Sequence, residues 1–370
     1  MLVTLKRYDM LQKGYNNVAG GTADITVHEK LENGKLRELC RATGNDCGGT
    51  AVDGAFFQML VRILGGPLIT ALKEEEPSAY LDLFREFETV KRTISPSKSG
   101  KVNVTIPYVA LDKMCQRILG EDLPSVIESS TYSKEVHLRG DKMRINVETM
   151  KNLFKGTIDN IISLMTEVLK KPEAEEVNTL LLVGGFSDCL LIREAINNAF
   201  CDKTIIMPEE AGLSVLKGAV LFGHRPDYVQ SRVMRYTYGL GNCPLFDPKQ
   251  HDRERMCVVE GEEHCSNVFL KIVEIGQEVT SGTKFPVAFS TIFKRQGVVN
   301  ISFYVSTSKN PMYTDEDGCS FLGSANIEFE DPSDDGRWVD IENVFGNSEI
   351  NMTAVDRNSG KTISATFNLL

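Results

Sequence analysis

Four short segments carry residues whose types and spacing suit the handling of a phosphate, a sugar or a base. The first is Ala19-Gly20-Gly21-Thr22-Ala23-Asp24, two glycines in a tight turn followed at once by a hydroxyl and then a carboxylate. Consecutive glycines expose N–H groups that form a concavity for an anion, and Thr22 can donate to a phosphate oxygen. Asp24 could polarise a water or cap nearby amides. The second segment, Thr43 to Asp53, sets Gly48 and Gly49 ahead of an apolar helical run from Phe56 to Leu64, where a helix N-terminus turns its amides outward. The third, Phe87 to Ser95, brings Glu88, Lys91, Arg92 and Ser95 to one helical face; there a carboxylate accepts from sugar hydroxyls and a guanidinium stacks on a ring. The fourth couples Val183-Gly184-Gly185-Phe186-Ser187 to Pro208-Glu209-Glu210-Ala211-Gly212, a glycine turn between strand and helix suited to the close approach of a nucleotide. Each segment also has an ordinary reading as a plain turn, a flexible loop, a solvated helix face or a tight helix contact.

The elements that must position these residues follow from the apolar pattern. From Met143 to Lys171, Met150, Leu153, Phe154, Ile158, Ile161, Ile162, Met165, Val168 and Leu169 recur at three- and four-residue spacing, which predicts a helix with one buried face, stopped by Pro172. Leu180 to Val183 predicts a strand buried on both faces, as in a parallel sheet, ended by Gly184 and Gly185. Asp188 is expected to cap a helix from Leu190 to Phe200 with Leu191, Ala195, Ile196 and Ala199 as its stripe. Beyond residue 235 the period changes to two, in Val298 to Val305 and Glu349 to Val355, with turn residues at Asn347, Asn358-Ser359-Gly360 and Asp317-Gly318. The expected organisation is an α/β region over 1–225 with a helical subdomain at about 55–140, a linker at 226–235, and an antiparallel β-sandwich over 236–370.

Composition excludes other classes. Lys and Arg total 41 against 51 Asp and Glu, a net charge of −10 that repels nucleic acid. No apolar run approaches the roughly 20 residues that cross a bilayer, and Met1 to Arg7 lacks the architecture of a cleavable signal, so no membrane partner is expected. Nine scattered cysteines without a CxxC pair point to reduced thiols and a cytoplasmic location. The five histidines are dispersed, and Cys257, His264 and Cys265 read as strand residues about a turn, so no metal site is expected. Trp338 is expected at the rim of the sandwich.

The order of the segments resembles the second lobe of the nucleotide-binding domain of the 70-kilodalton heat-shock protein family, an actin-like (ribonuclease H-like) ATPase fold. That family shows a DxGGGTxD loop, a GG turn, an ExxKRxLS helix, a VGGS turn and a PxEA…GAA helix in this order. Here the counterparts are Asn17 to Asp24, Gly48-Gly49, Glu88 to Ser95, Val183 to Ser187 and Pro208 to Val220. The stretches Thr26-Val27-His28-Glu29, VGGF and Leu216 to Gly223 look most like its divergent type-12 branch, and the tail, from Tyr238-Gly239-Leu240-Gly241 to Ala354–Lys361, is similar to a substrate-binding sandwich.

The resemblance implies ATP or ADP held by Gly20, Gly21, Thr22, Gly48, Gly49, Glu88, Lys91, Arg92, Ser95, Gly184, Gly185, Phe186, Ser187 and Glu209, and a peptide or client protein on the sandwich in a chaperone-like, stress-response role. This sequence departs from the family in three ways. A first lobe with its own DxGT loop and catalytic lysine is expected to be missing ahead of the motifs, as is a helical lid after Leu370. Asn17 and Ala19 stand where the loop has Asp and Gly, which removes a carboxylate that would help hold hydrated magnesium. In place of the family's apolar interdomain linker stands Pro226-Asp227-Tyr228-Val229-Gln230. Magnesium binding is therefore expected to be weak and hydrolysis by this chain absent, with Thr22 and Asp24 the catalytic candidates. The alternative is a nucleotide-independent interaction module built on a degenerate half-cleft. A metabolic kinase of the same fold is disfavoured because no sugar-site segment accompanies the phosphate loop.

Overall fold

The computed structural model describes residues 2–6, 21–345 and 349–369. The chain divides into two compact units, one of residues 1–26 and 43–220, the other of residues 27–42 and 221–370. Two strands pass through both: β2 (Ala23–Lys30) and β3 (Leu36–Asn45).

The first unit continues from β1 (Leu2–Lys6) and the start of β2 to α1 (Gly49–Leu64), α2 (Gly66–Glu75), α3 (Pro77–Lys91), β4 (Lys101–Thr105), α4 (Tyr108–Ile118) and α5 (Leu123–Ser129). After these come β5 (Val136–Arg139), β6 (Lys142–Asn146), α6 (Val147–Leu169), β7 (Thr179–Val183), α7 (Leu190–Ala199), β8 (Thr204–Ile206) and most of α8 (Ala211–His224). In α1 the buried residues Val52, Phe56, Met59, Leu60 and Ile63 keep helical spacing, and the helix stops at Gly65, whose φ of 84° is open to glycine. Phe56 of α1 stacks on Phe87 of α3 with ring centroids 3.8 Å apart, which fixes how the two helices meet. Strand β7 pairs antiparallel with β1 and parallel with β8, and Leu180 to Val183 are all buried, as the unbroken apolar run requires.

Three expectations for this unit are corrected. Residues 55–140 are not wholly helical, because β4, β6 and β5 form a small antiparallel sheet. Helix α6 begins at Val147 rather than Met143, since Met143 and Ile145 pair with Val104 and Val102, and the Asn146 side chain accepts from the Glu148 amide to start the helix. Helix α7 starts behind Cys189 with no side-chain cap: Asp188 ends a turn of 3-10 helix (Gly185–Asp188) instead, and the buried positions are Ile192, Ile196 and the following Phe200.

The second unit takes in the ends of the β2–β3 hairpin and then β9 (Val229–Val233), β10 (Thr237–Asn242), β11 (Met256–Val259), β12 (Glu262–Cys265), β13 (Val268–Val273), β14 (Glu278–Thr280) and β15 (Thr283–Ser290). Strands β16 (Val298–Ser306), β17 (Cys319–Glu328), β18 (Trp338–Phe345), β19 (Glu349–Asp356) and β20 (Thr362–Asn368) complete it. The stretch expected to be a linker is a turn of 3-10 helix at Pro226–Tyr228 followed by β9, which runs parallel to β3 at Leu36↔Val229 and antiparallel to β14. Arg37 grips Glu278 through two bonds of 2.9 and 2.7 Å, and Glu38 accepts from the Val233 amide at 3.1 Å. These bonds are why residues 27–42, expected in the first region, go with the second unit.

Two four-stranded sheets, β13-β10-β16-β17 and β15-β18-β19-β20, are antiparallel throughout and bury one shared core that includes Tyr238, Ile301, Phe303, Ile341, Phe345, Ile350 and Met352. Strands β18 and β19 alternate buried and open positions along their length, the period-two signature of the sequence. At the turn after β19 the Asp356 carboxylate accepts from the Asn358 and Ser359 amides, and Gly360 takes a φ of 73°. The expected turn at Asp317-Gly318 is present, with Gly318 at a φ of 84°; Asn347 lies outside the described residues. Trp338 is half exposed, with the Arg357 guanidinium 5.3 Å from its ring.

Gly239 shows how closely β10 and β13 meet: a Cβ there would lie 2.2 Å from Phe269 Cε1 and 2.5 Å from the Leu270 carbonyl oxygen. The ring can turn aside, but the carbonyl belongs to the sheet. Gly239→Ala is therefore expected to destabilise the sandwich by about 1–3 kcal/mol, read as a lower urea midpoint at unchanged slope.

Candidate functional site

The first unit contains a cleft of about 470 Å³. Helix α1 contributes Gly49, Thr50 and Asp53 to its wall; α3 and its cap contribute Glu88, Lys91 and Arg92; α6 contributes Phe154; and the turn after β7 contributes Gly185, Phe186, Asp188 and Cys189. The sequence places Glu88, Lys91 and Arg92 one turn apart on α3, so the three heads emerge together.

Lys91 is only 6% exposed. Its ammonium donates to Asp53 Oδ1 at 2.7 Å and to the Gly49 carbonyl at 3.2 Å, and it is ion-paired with Glu88 as well. Arg92 lies at the other extreme, 77% exposed, with Nε donating to Glu88 Oε1 at 2.8 Å. Glu88 thus steadies an open guanidinium plane while sharing a buried ammonium. Burial raises the Asp53 carboxyl above its ordinary range in spite of Lys91. Burial pushes Glu88 the same way, but the bonds from Lys91 and Arg92 outweigh it and hold that carboxyl low. The Cys189 thiol is pushed up by burial, opposed only by the amides of Ile192 and Leu191 and the charge of Lys91, so it is poorly suited to act as a thiolate nucleophile.

Of the residues singled out from sequence, Gly49, Glu88, Lys91, Arg92, Gly185 and Phe186 meet in this cleft. Gly48 caps α1, and its N–H donates to the Gly21 carbonyl at 2.9 Å, which ties the first glycine turn to the start of the helix. Thr22 Oγ1 donates to Asp24 Oδ2 at 2.8 Å. Thr22, Asp24, Gly21 and Gly48 are not among the lining residues. Gly184, with a φ of 92°, donates its N–H to the Ala211 carbonyl at 2.8 Å, joining the two parts of the fourth segment.

Ser187, Ser95 and Glu209 are placed elsewhere. Ser187 is fully buried and its hydroxyl donates to the Gly184 carbonyl at 2.6 Å, so it locks the turn instead of facing a ligand. Ser95 falls past the end of α3, beside Ser97 Oγ at 3.4 Å, and so leaves the face shared by Glu88 and Lys91. Glu209 is exposed and outside the cleft wall. Gly20, with Asn17 and Ala19, lies outside the described residues. Sequence reasoning did not assign Thr50, Asp53, Phe154, Asp188 or Cys189 to the site. For Asp53 no local signal existed, because its partner Lys91 is 38 positions away.

Among the described residues no single helix is long and apolar enough to cross a membrane. No family model matches the chain. The mouse protein called heat shock 70 kDa protein 12A is 32% identical over 357 residues, covering 95% of this chain and 53% of that protein. The human heat shock 70 kDa protein 12B is 31% identical over 364 residues, again 95% of this chain and 53% of its own length. The human 12A protein is 32% identical over 357 residues with the same coverage. The chain spans about half the length of the curated relatives it matches.

Proposed function

Because the chain belongs to the type-12 branch of the 70-kilodalton heat-shock protein family over the stretch the relatives share, we propose that its first unit binds an adenine nucleotide, ATP or ADP, and that its sandwich holds a peptide or client protein. The first unit is then the second lobe of an actin-like, ribonuclease H-like nucleotide-binding domain, and the sandwich is substrate-binding-like, in a chaperone-like stress-response protein of the cytoplasm. Nine free thiols suit that reducing compartment. The observation that carries the reading is that Glu88, Lys91 and Arg92 from one segment and Gly185 with Phe186 from another, nearly a hundred positions apart, line one cleft.

In this reading the open Arg92 guanidinium is the platform for the base, and Glu88 accepts from the ribose hydroxyls. Gly185 lets the backbone come close. The Gly20-Gly21-Thr22 turn, bonded through Gly21 to the start of α1, receives phosphate oxygens together with the amides at Gly48 and Gly49. Lys91 acts as a strut, since Asp53 and Glu88 already neutralise it. Magnesium would be held weakly, and the proposal is for binding without turnover.

One observation favours a second reading, a nucleotide-independent interaction module: three carboxylates line the cleft against two cations, an unfavourable field for a polyphosphate. Calorimetric titration of the purified chain with ADP and ATP decides between them. The nucleotide reading expects saturable binding that Arg92→Ala weakens at least about tenfold through loss of the stacking surface. Unchanged affinity in Arg92→Ala would remove the assigned site, and absence of binding by the wild type at millimolar nucleotide would leave the interaction module.

A further inference from the structure

Strands β10 and β13 are neighbours in one sheet, and the chain between them makes the β11–β12 hairpin; three of the nine cysteines, Cys243, Cys257 and Cys265, belong to this insertion. On leaving β10 the chain runs antiparallel to β12: the Phe246 amide donates to the Glu263 carbonyl at 2.8 Å and the Cys265 amide to the Pro244 carbonyl at 2.9 Å. Just ahead of that contact the Cys243 carbonyl oxygen lies 3.0 Å from His264 Nδ1, so Cys243 sits over the face of the hairpin that carries the His264 ring. Cys257 stands opposite His264 in the β11–β12 register, and directly opposed residues of an antiparallel pair share a face. The Cys243 and Cys257 thiols thereby meet and share a hydrogen bond. Cys265, one position on from His264, alternates to the other face, where its thiol lies 3.8 Å from the Ser266 carbonyl oxygen. Among the described residues no three His, Cys, Asp or Glu side chains come near enough to share a metal ion, which leaves the two thiols to each other.

Both thiols are half-buried, so a small solute reaches them, and sulfurs already in contact come to the S–S distance of about 2.05 Å mainly by side-chain rotation. We propose that Cys243 and Cys257 form a reversible redox pair, closed to a disulfide by exchange with a small disulfide of the glutathione class. In the first step the Cys257 thiolate attacks one sulfur of oxidised glutathione; a bond forms to Cys257, the glutathione S–S bond breaks, and one glutathione thiolate leaves. In the second, the Cys243 sulfur attacks the Cys257 sulfur and the other glutathione thiolate leaves. Two protein thiols are oxidised, one glutathione disulfide is reduced to two thiols, and these take up the two protons. The order follows from the surroundings of Cys243. Burial first, then the thiols of Cys257 and Cys265, push it up to about 11, which leaves roughly one part in ten thousand as thiolate near neutrality. Cys243 is thus a poor first attacker, but as the second it meets a partner already in place. The closed bridge ties the end of β10 to β11, and with it the exposed side chains of Met256 and Val258.

The test equilibrates the reduced, purified chain with oxidised and reduced glutathione at varied ratio, followed by acid quenching, alkylation of the remaining thiols and peptide mapping by mass spectrometry. A Cys243–Cys257 bridge is expected to accumulate as the oxidised fraction rises and to be undone by excess reduced glutathione. Cys201, the exposed thiol, is expected to take up glutathione without bridging, and so reports that the reagent has acted. In Cys243→Ser the exchange should stop after the first step, with one glutathione held on Cys257. In Cys257→Ser the Cys243 thiol should stay unmodified.

Absence of the bridge at every ratio while Cys201 is modified would overturn the proposal. So would a bridge that joins either thiol to Cys265 or Cys319, or glutathione held stably on Cys257 of the wild type. A bridge that forms only in urea would do the same, by showing that the folded hairpin holds the two sulfurs apart. The wild-type map carries the result by itself, so a serine variant that fails to fold does not leave the question open.

Discussion

Replacing Phe345 by Ala is expected to lower the stability of the second unit by about 4 kcal/mol. The ring is fully buried on β18 and lies edge-on to Tyr238 at 5.6 Å and to Phe285 at 5.4 Å, with Phe303 at 6.4 Å. Tyr238 and Phe303 come from the opposite sheet, so the cavity would open at the plane where the two sheets meet. Large rigid rings on strands fixed by their own ladders collapse poorly into such a void, which puts the cost toward the upper end for a buried aromatic. Urea unfolding followed by fluorescence of Trp338, the lone tryptophan and itself on β18, gives the number directly. Phe345→Leu, which keeps most of the volume, should cost far less, about 1.5 kcal/mol. Similar losses in both variants would mean that ring contacts matter more than the filled space.

The second large effect is expected at Lys91. Lys91→Met keeps the length of the side chain but strands Asp53 and removes one of the two cations on Glu88. Breaking a buried pair by deleting one partner typically costs ~3–5 kcal/mol, and partial solvent access to Asp53 and Glu88 brings the expectation down to about 2–3 kcal/mol. The pH dependence gives the mechanism a signature. Asp53 already binds its proton more tightly folded than unfolded because burial outruns the pull of Lys91. A carboxyl raised in this way destabilises the fold once ionised, and it recovers stability as the pH falls through its folded value. Without Lys91 that rise grows. Glu88 runs the other way: its lowered carboxyl contributes stability above the ordinary range that is lost as it protonates, and part of that contribution comes from Lys91. Both effects shrink the gap between wild type and variant on acidification. Melting temperatures near neutrality and within the carboxylate range check this, and a gap that stays the same at low pH would show that Lys91 stabilises by packing and not by charge.

How much was legible beforehand depended on the number of residues that repeat a signal. Helix α6 offers nine apolar positions at helical spacing, but the expected start is too early because Met143, seven residues before Met150, is in phase with the stripe while lying on β6. The small sheet of β4, β5 and β6 was missed because its strands are four or five residues long and bury one or two side chains each, too few to separate a period of two from one of 3.6. Pro226 and the surrounding charges read as a linker from sequence alone; only β3 and β14, distant in sequence, make Val229–Val233 a strand. In the cleft, glycines and the α3 charges were visible as types at a spacing. Their partners were not: Lys91 reads as a ligand-binding cation, whereas Asp53, two helices back along the chain, turns it into a strut. Asp188 had the right type and place for a cap, and the chain used Cys189 instead.

The bond between the Glu38 carboxylate and the Val233 amide joins positions 195 apart in sequence, and the Arg37–Glu278 pair spans 241. During synthesis the β2–β3 hairpin therefore emerges long before the strands that will flank it, with a whole compact unit made in between. Closing so long a loop costs little more than closing a short one, since each doubling of length adds only about 0.6 kcal/mol, but the wait is set by the ribosome. Until Val233 has been made, the outer edge of β3 offers unpaired amides and carbonyls to any strand it meets, and the edge of β9 does the same until Thr280. A chain ending near residue 225 would stay in that condition, which makes the place where the composition changes a poor place to cut.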